Sequence, residues 1–236
     1  TPEGVNGLYL TGDTFENEGN FMDLEVDFPC SGPDYCLSNG LPTGPAQWNV
    51  YVTGDTFTDG RGGNWVESEQ AACIPQHNLV FENDTLDSTV DSNMVLLGSR
   101  SMECSEDSDL TVSNITATYP ASGAPRTPDI NVQDYSGVTI SGNNLTFFAG
   151  LPTYYPDTPG WPGVSLCSVN GAVVENNVFN NAYAATETDT DCPFWSGSPP
   201  SSHLTACGNT YWLTEPITTP DGPAPPAAPR TDGRCP

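Results

Sequence analysis

The chain reads as short apolar-polar-apolar triplets followed by turn-forming residues. Leu8-Tyr9-Leu10 and Val50-Tyr51-Val52 each lead into the same pentapeptide, Thr-Gly-Asp-Thr-Phe, at 11–15 and 53–57. The unit recurs in looser form. Leu79-Val80-Phe81, Leu110-Thr111-Val112, Val138-Thr139-Ile140 and Ala172-Val173-Val174 are each followed by a polar pair or triplet and another apolar residue. The triplets begin at residues 8, 50, 79, 110, 138 and 172, in steps of 42, 29, 31, 28 and 34 residues. In-out-in alternation belongs to a strand. No segment sustains the 3.6-residue apolar period of an amphipathic helix. The uneven steps fit a constant strand core joined by loops of variable length.

Two residues after each triplet stands Gly12, Gly54, Asn83, Asn114, Gly142 or Asn176. Glycine and asparagine best tolerate a positive φ, so the pattern predicts a left-handed bend there in every repeat. A short second strand then turns Phe15, Phe57, Leu86, Leu145 or Phe179 inward. Leu24-Glu25-Val26, Met94-Val95-Leu96, Ile130-Asn131-Val132 and Val164-Ser165-Leu166 supply a third strand between copies, and a last coil falls near 204–212. Three strands and one tight bend per repeat predict an all-β chain, a right-handed parallel β-helix of about six rungs with long loops. Its rungs would stack about 4.8 Å apart. An antiparallel β-sandwich also has many short strands, but does not ask for Gly or Asn at one place six times over. Residues 1–213 are expected to form the β-helix domain. Residues 214–236 are rich in proline and form a tail suited to a linker or docking strip.

These residues resemble the right-handed parallel β-helices of the pectin-lyase-like superfamily over about residues 8–212, a group that often has Asn at the tight bend between its second and third strands. The resemblance implies the fold rather than an activity, because the superfamily holds lyases, hydrolases, esterases, adhesins and structural proteins. A lyase of this type implies a basic residue for proton abstraction and carboxylates for calcium. The chain has no Lys, and its arginines are Arg61, Arg100, Arg126, Arg230 and Arg234. No Gly-His-Gly of the hydrolase kind occurs, and His77 and His203 are expected to be solvated loop side chains. No catalytic and no cofactor-binding residue is assigned, and the expectation is that the protein is not an enzyme.

Charge sharpens this. Thirty Asp and Glu against five Arg leave a net charge of −25. Nucleic acid and anionic membrane surfaces need clustered basic residues, so both are poor partners, whereas cations are favoured. Eight cysteines and the sequons at Asn83, Asn114 and Asn144 point to an exported glycoprotein, extracellular or at the cell surface. No leader or long apolar run is visible, so membrane insertion is not expected and the chain is expected to be already processed. Eight cysteines allow 105 connectivities, and the sequence does not choose among them; the expected strands suggest Cys30–Cys36, Cys73–Cys104, Cys167–Cys207, each member following an inward strand, and Cys192–Cys235, which would tie down the tail.

Three kinds of side chain are candidates for a site. Asp13, Asp55 and Asp84 share one repeat position and should form a column: either a calcium site, or turn caps in which each carboxylate bonds its own local backbone. Glu106-Asp107-Ser108-Asp109 and Glu187-Thr188-Asp189-Thr190-Asp191 are expected to be acidic loops, and Tyr154, Tyr155, Trp161, Phe194 and Trp195 to be loop aromatics that could stack on sugar rings. The first triplet begins close to the start of the chain with no lid ahead of it, so the first rung is expected to be an open strand edge. The function these features favour is a self-assembling structural or adhesive subunit, in a filament or surface coat, whose partners are itself, covalent glycans and possible polysaccharide. A polysaccharide lyase or glycoside hydrolase is the alternative.

Overall fold

The computed structural model describes residues 6–16, 22–23, 47–58, 63–70, 76–87, 92–99, 108–118, 130–146, 162–189, 200–213, 218–219, 222–223 and 229–235. Every regular element among them is a strand. Three parallel sheets carry almost all of these strands, and in each sheet spatial order follows chain order. An antiparallel sandwich is therefore not what these residues form.

The first sheet runs Asn6–Thr11, Gln47–Thr53, Gln76–Glu82, Ser108–Ser113, Ser136–Ser141, Asn170–Glu175 and Ser202–Cys207. It thus has seven strands, the six triplets and the last coil. Its register pairs Leu8 with Val50, then Leu79, Leu110, Val138, Ala172 and Leu204. Because side chains alternate along a strand, each triplet turns its first and third members inward, and every triplet after the first buries them. Val50, Val52, Leu79, Phe81, Leu110 and Val112 are all fully buried, while Tyr9 and Val173, in middle positions, are exposed. Burial of each such side chain contributes about 1.5–3 kcal/mol.

The second sheet holds Thr14–Glu16, Thr56–Thr58, Thr85–Asp87, Thr116–Thr118, Asn144–Thr146, Val178–Asn180 and Thr210–Trp212. Phe15, Phe57, Leu86, Ala117, Leu145, Phe179 and Tyr211 share one register position. All of them belong to the core or pack against it, and Phe15 stacks on Phe57 with ring centroids 5.0 Å apart. The third sheet holds Met22–Asp23, Gly63–Gln70, Ser92–Ser99, Ile130–Gln133, Pro162–Cys167 and Ala184–Asp189. Three of the four expected third strands lie within it, and Leu24-Glu25-Val26 falls outside the described residues. Gly63–Gln70 and Ala184–Asp189 are too polar to announce themselves as strands. A neighbouring strand offers them a row of unpaired N–H and C=O groups, and the backbone pairs regardless of side chain. Glu187-Thr188-Asp189 is accordingly strand rather than loop, with Tyr183 Oη donating to Glu187 Oε2.

All six expected bend residues are left-handed, with φ between 54° and 72°, and Gly208 adds a seventh at 65°. The bend N–H reaches the next repeat: Gly54 N donates to Glu82 O at 2.9 Å, Asn83 N to Ser113 O at 3.0 Å and Asn114 N to Ser141 O at 3.0 Å.

The end of the chain folds back on the last repeat. Arg230–Thr231 pairs antiparallel with Thr210–Trp212, and a disulfide joins Cys207 to Cys235. This corrects two expected pairings, Cys167–Cys207 and Cys192–Cys235. The antiparallel return brings Cys235 beside the last bend, a placement set by the third dimension and not by spacing along the chain. Cys167 is also disulfide-bonded. Cys30, Cys36, Cys73, Cys104 and Cys192 lie outside the described residues.

Candidate functional site

The residue after each bend occupies one repeat position; the first, Asp13, is exposed, and from Asp55 onward these residues face the interior as a largely polar column inside an apolar core. In chain order the column is Asp13, Asp55, Asp84, Ile115, Asn143, Asn177 and Asn209. Asp55, Asp84, Asn143, Asn177 and Asn209 are each at most 1% exposed. Buried polar groups must be paired, and here the pairing runs between repeats. Asp13 N donates to Asp55 Oδ1 at 2.7 Å and Asp55 N to Asp84 Oδ1 at 2.8 Å. Ile115 N donates to Asn143 Oδ1 at 2.9 Å, Asn143 N to Asn177 Oδ1 at 2.9 Å, and Asn177 N to Asn209 Oδ1 at 3.0 Å.

The amide groups add a second set of bonds. Asn143 Nδ2 donates to Val112 O at 3.0 Å and to Asn177 Oδ1 at 2.8 Å. Asn177 Nδ2 donates to Ile140 O at 3.0 Å and to Asn209 Oδ1 at 2.8 Å. Asn209 Nδ2 donates to Val174 O at 2.8 Å and to Asp232 Oδ2 at 2.9 Å. The tail thus supplies the last member of the ladder. Its backbone serves the same end: Gly208 N donates to Gly233 O at 2.7 Å and Asp232 N to Asn209 O at 2.9 Å.

Asp13, Asp55 and Asp84 do stack, as their shared position implies, but neither expected bonding scheme describes them. The carboxylates of Asp55 and Asp84 accept the N–H of the preceding repeat rather than one in their own turn. Nor do the three converge as a metal cage would. Among the described residues, the group whose ligand atoms lie within 4.8 Å of one another is Glu175, Cys207 and Cys235, and its two sulfurs are joined to each other. Burial, aided by the neighbouring Asp55 and Glu82 carboxylates, pushes Asp84 up to about 7 against two backbone hydrogen bonds. Burial also raises Asp134, against a hydrogen bond from Ser168. The amide part of this ladder was not foreseen, although the signal is visible: the residue after each bend is Asp, Asp, Asp, Ile, Asn, Asn and Asn.

The remaining candidates among the described residues lie away from the column. His77 and His203 are strand residues rather than loop residues. His77 Nδ1 lies 2.8 Å from Ser108 Oγ, which donates to Asp109 Oδ2 at 3.0 Å, and His203 Nδ1 lies 2.9 Å from Asn170 Oδ1. Ser108 and Asp109 begin a strand of the first sheet, so the end of that expected acidic loop is strand as well. The sequon residues Asn83, Asn114 and Asn144 are exposed, the first two at bends. Tyr9 is 66% exposed and stacks on Tyr51, ring centroids 5.0 Å apart, while Tyr51 Oη accepts from Asn78 Nδ2 at 2.8 Å. Arg61, Arg100, Arg126, Tyr154, Tyr155, Trp161, Phe194 and Trp195 lie outside the described residues.

Comparison with known proteins finds no matching family model, no matching curated protein and no matching solved structure.

Proposed function

We propose that the chain is a right-handed parallel β-helix of the pectin-lyase-like kind, working outside the cell as a disulfide-stapled structural or adhesive glycoprotein that assembles with copies of itself. One observation carries the assembly. Leu8, Leu10 and Phe15 occupy core positions yet are only partly buried, whereas Val50, Val52 and Phe57, one repeat further in, are at most 1% exposed. An apolar strand edge of this kind is a template for another chain. Asp13 adds a polar match. Asp55 and Asp84 accept a backbone N–H from the repeat before, and Asp13 occupies the same position in the first repeat. The sequons and cysteines support export and glycan attachment.

Sedimentation velocity and negative-stain electron microscopy over a wide concentration range test the assembly. Concentration-dependent oligomers, weakened by Leu10→Lys, are the expected result, and a strict monomer at high concentration would overturn the proposal. A panel of acidic polysaccharides with and without calcium tests the enzymatic alternative, for which cleavage is the diagnostic result.

A further inference from the structure

Two carboxylate oxygens, Asp55 Oδ2 and Asp84 Oδ2, are buried with no hydrogen-bond partner. Each belongs to a ladder whose later members are amides. In Asn143, Asn177 and Asn209, the amide nitrogen donates one hydrogen to a carbonyl of the preceding repeat, three residues before its ladder position: Val112, Ile140 and Val174 in turn. It gives the other to the side-chain oxygen of the next ladder member. Register carries the position of Val112 through Phe81 onto Val52 and Leu10. The equivalent acceptors are thus Leu10 O for Asp55 and Val52 O for Asp84. An ionised oxygen set against a carbonyl oxygen is repelled, and burying it unpaired is costly. A single proton turns that oxygen into a donor and makes the acid a stand-in for asparagine.

Ile115 explains why one proton is enough. An asparagine has two hydrogens to place, one in each direction along the column. The member after Asp84 is Ile115, which has no side-chain oxygen, so Asp84 has one acceptor to serve and, as an acid, one hydrogen to give. Its other oxygen already accepts Asp55 N at 2.8 Å.

We infer that Asp84 is held in the folded protein as a neutral carboxylic acid, its Oδ2–H donating to the Val52 carbonyl, so that the acidic half of the ladder is a proton-binding site whose hold on the first repeats weakens as pH rises. Among the described residues, every charged neighbour acts in the same sense. Asp55 on one side and Glu82, two residues before it, are both acidic. Asp13 and Glu16 in the first repeat, and Asp87 and Asp109 on outward positions of the adjoining strands, add only negative charge. Tyr9 and Tyr51 face outward. His77 sits at the far end of the strand, bonded to Ser108, and no arginine lies among the described residues of these repeats. The folded acid keeps a proton that the unfolded chain releases in the ordinary carboxylate range. The contribution of Asp84 to stability is therefore full in acid, declines from the ordinary carboxyl value of 3.8 as pH climbs to about 7, and is lost above that. This inference does not depend on how the chain assembles.

The full chain and Asp84→Asn are compared by thermal melting from pH 4 to pH 9, with carboxyl-carbon NMR of both. The native melting temperature is expected to fall by about 5 °C or more between pH 5 and pH 8.5. The two curves should cross, with Asp84→Asn the more stable protein at pH 8.5 but not at pH 5, because the amide needs no proton and has a hydrogen too many beside Ile115. One carboxyl resonance absent from the variant should titrate near neutrality. A flat native curve, an Asp84 resonance that titrates below pH 5, or a variant less stable than native at pH 8.5 would overturn the inference. So would calcium chloride raising the native melting temperature at pH 8.5 but not the variant's, which would assign the column to a cation. If the variant does not fold, the native resonance alone decides.

Discussion

The side-chain oxygen of Asn114 lies 2.5 Å from the point that a β-carbon on Gly142 would occupy. The two residues stand one repeat apart at the same left-handed bend, and the asparagine leans over its neighbour's α-carbon. Asn176 and Gly208 repeat the arrangement at 2.6 Å. At these two steps an asparagine bend is followed, one repeat on, by a glycine that has no side chain to meet it.

Gly142→Ala should therefore be punished twice, by a left-handed alanine and by the Asn114 contact. Gly54→Ala meets no atom within 4 Å and bears the conformational penalty alone, about 1–2 kcal/mol. Guanidinium denaturation of both variants should show Gly142→Ala the less stable by a further 1 kcal/mol or so. Equal losses would mean that the asparagine yields freely.

Leu110 lies mid-stack, fully buried, with Leu79 on one side and Val138 on the other. Rigid strands above and below limit collapse into the space that a smaller side chain leaves. Leu110→Ala should cost about 2–5 kcal/mol, whereas Thr111→Ala, one residue on and facing outward, should change stability by about 0.5 kcal/mol or less. The denaturation midpoints of the pair measure the difference.

The Cys207–Cys235 disulfide spans 28 residues and holds the tail over the last repeat. Cys235→Ser should cost about 3 kcal/mol through loop entropy, and the tail bonds at Gly233 and Asp232 should weaken with it. Limited proteolysis is expected to remove the tail from the variant faster than from the native protein under non-reducing conditions. Equal rates would show that the hydrogen bonds alone hold it.

Asp134 is buried and left-handed, with φ 53°. Burial raises its carboxyl above the ordinary range, so the folded state binds its proton more tightly than the unfolded chain, and its contribution is lost as pH rises through the raised value. Asn tolerates the same backbone. Asp134→Asn should thus melt with a shallower loss above pH 4 than the native chain, and the effect should add to that of Asp84→Asn because neither carboxyl shifts the other.

Much of the architecture was legible along the chain. The triplets, the six bends and the inward second strands all lie where the repeat places them, because each is a local requirement: alternation for a half-buried strand, Gly or Asn for positive φ. What escaped was whatever depends on a neighbour in space. Gly63–Gln70 and Ala184–Asp189 are strands because an adjoining backbone pairs with them. His77 and His203 belong to strands for the same reason. The carboxylates of Asp55 and Asp84 serve the repeat before their own, so a search for partners within one turn could not find them.

The repeat by itself determined that the chain would be all-β, where it would bend and which side chains would enter the core, since φ preference and side-chain alternation act over a few residues. Tertiary structure alone decided that Cys235 would join Cys207, that Asp232 would end a ladder begun at Asp13, and that Asp84 would stand buried with one oxygen unpartnered. Those outcomes depend on which residues stack across steps of about thirty positions, and stacking creates the burial and the hydrogen-bond partners that give the same side chain a new chemistry.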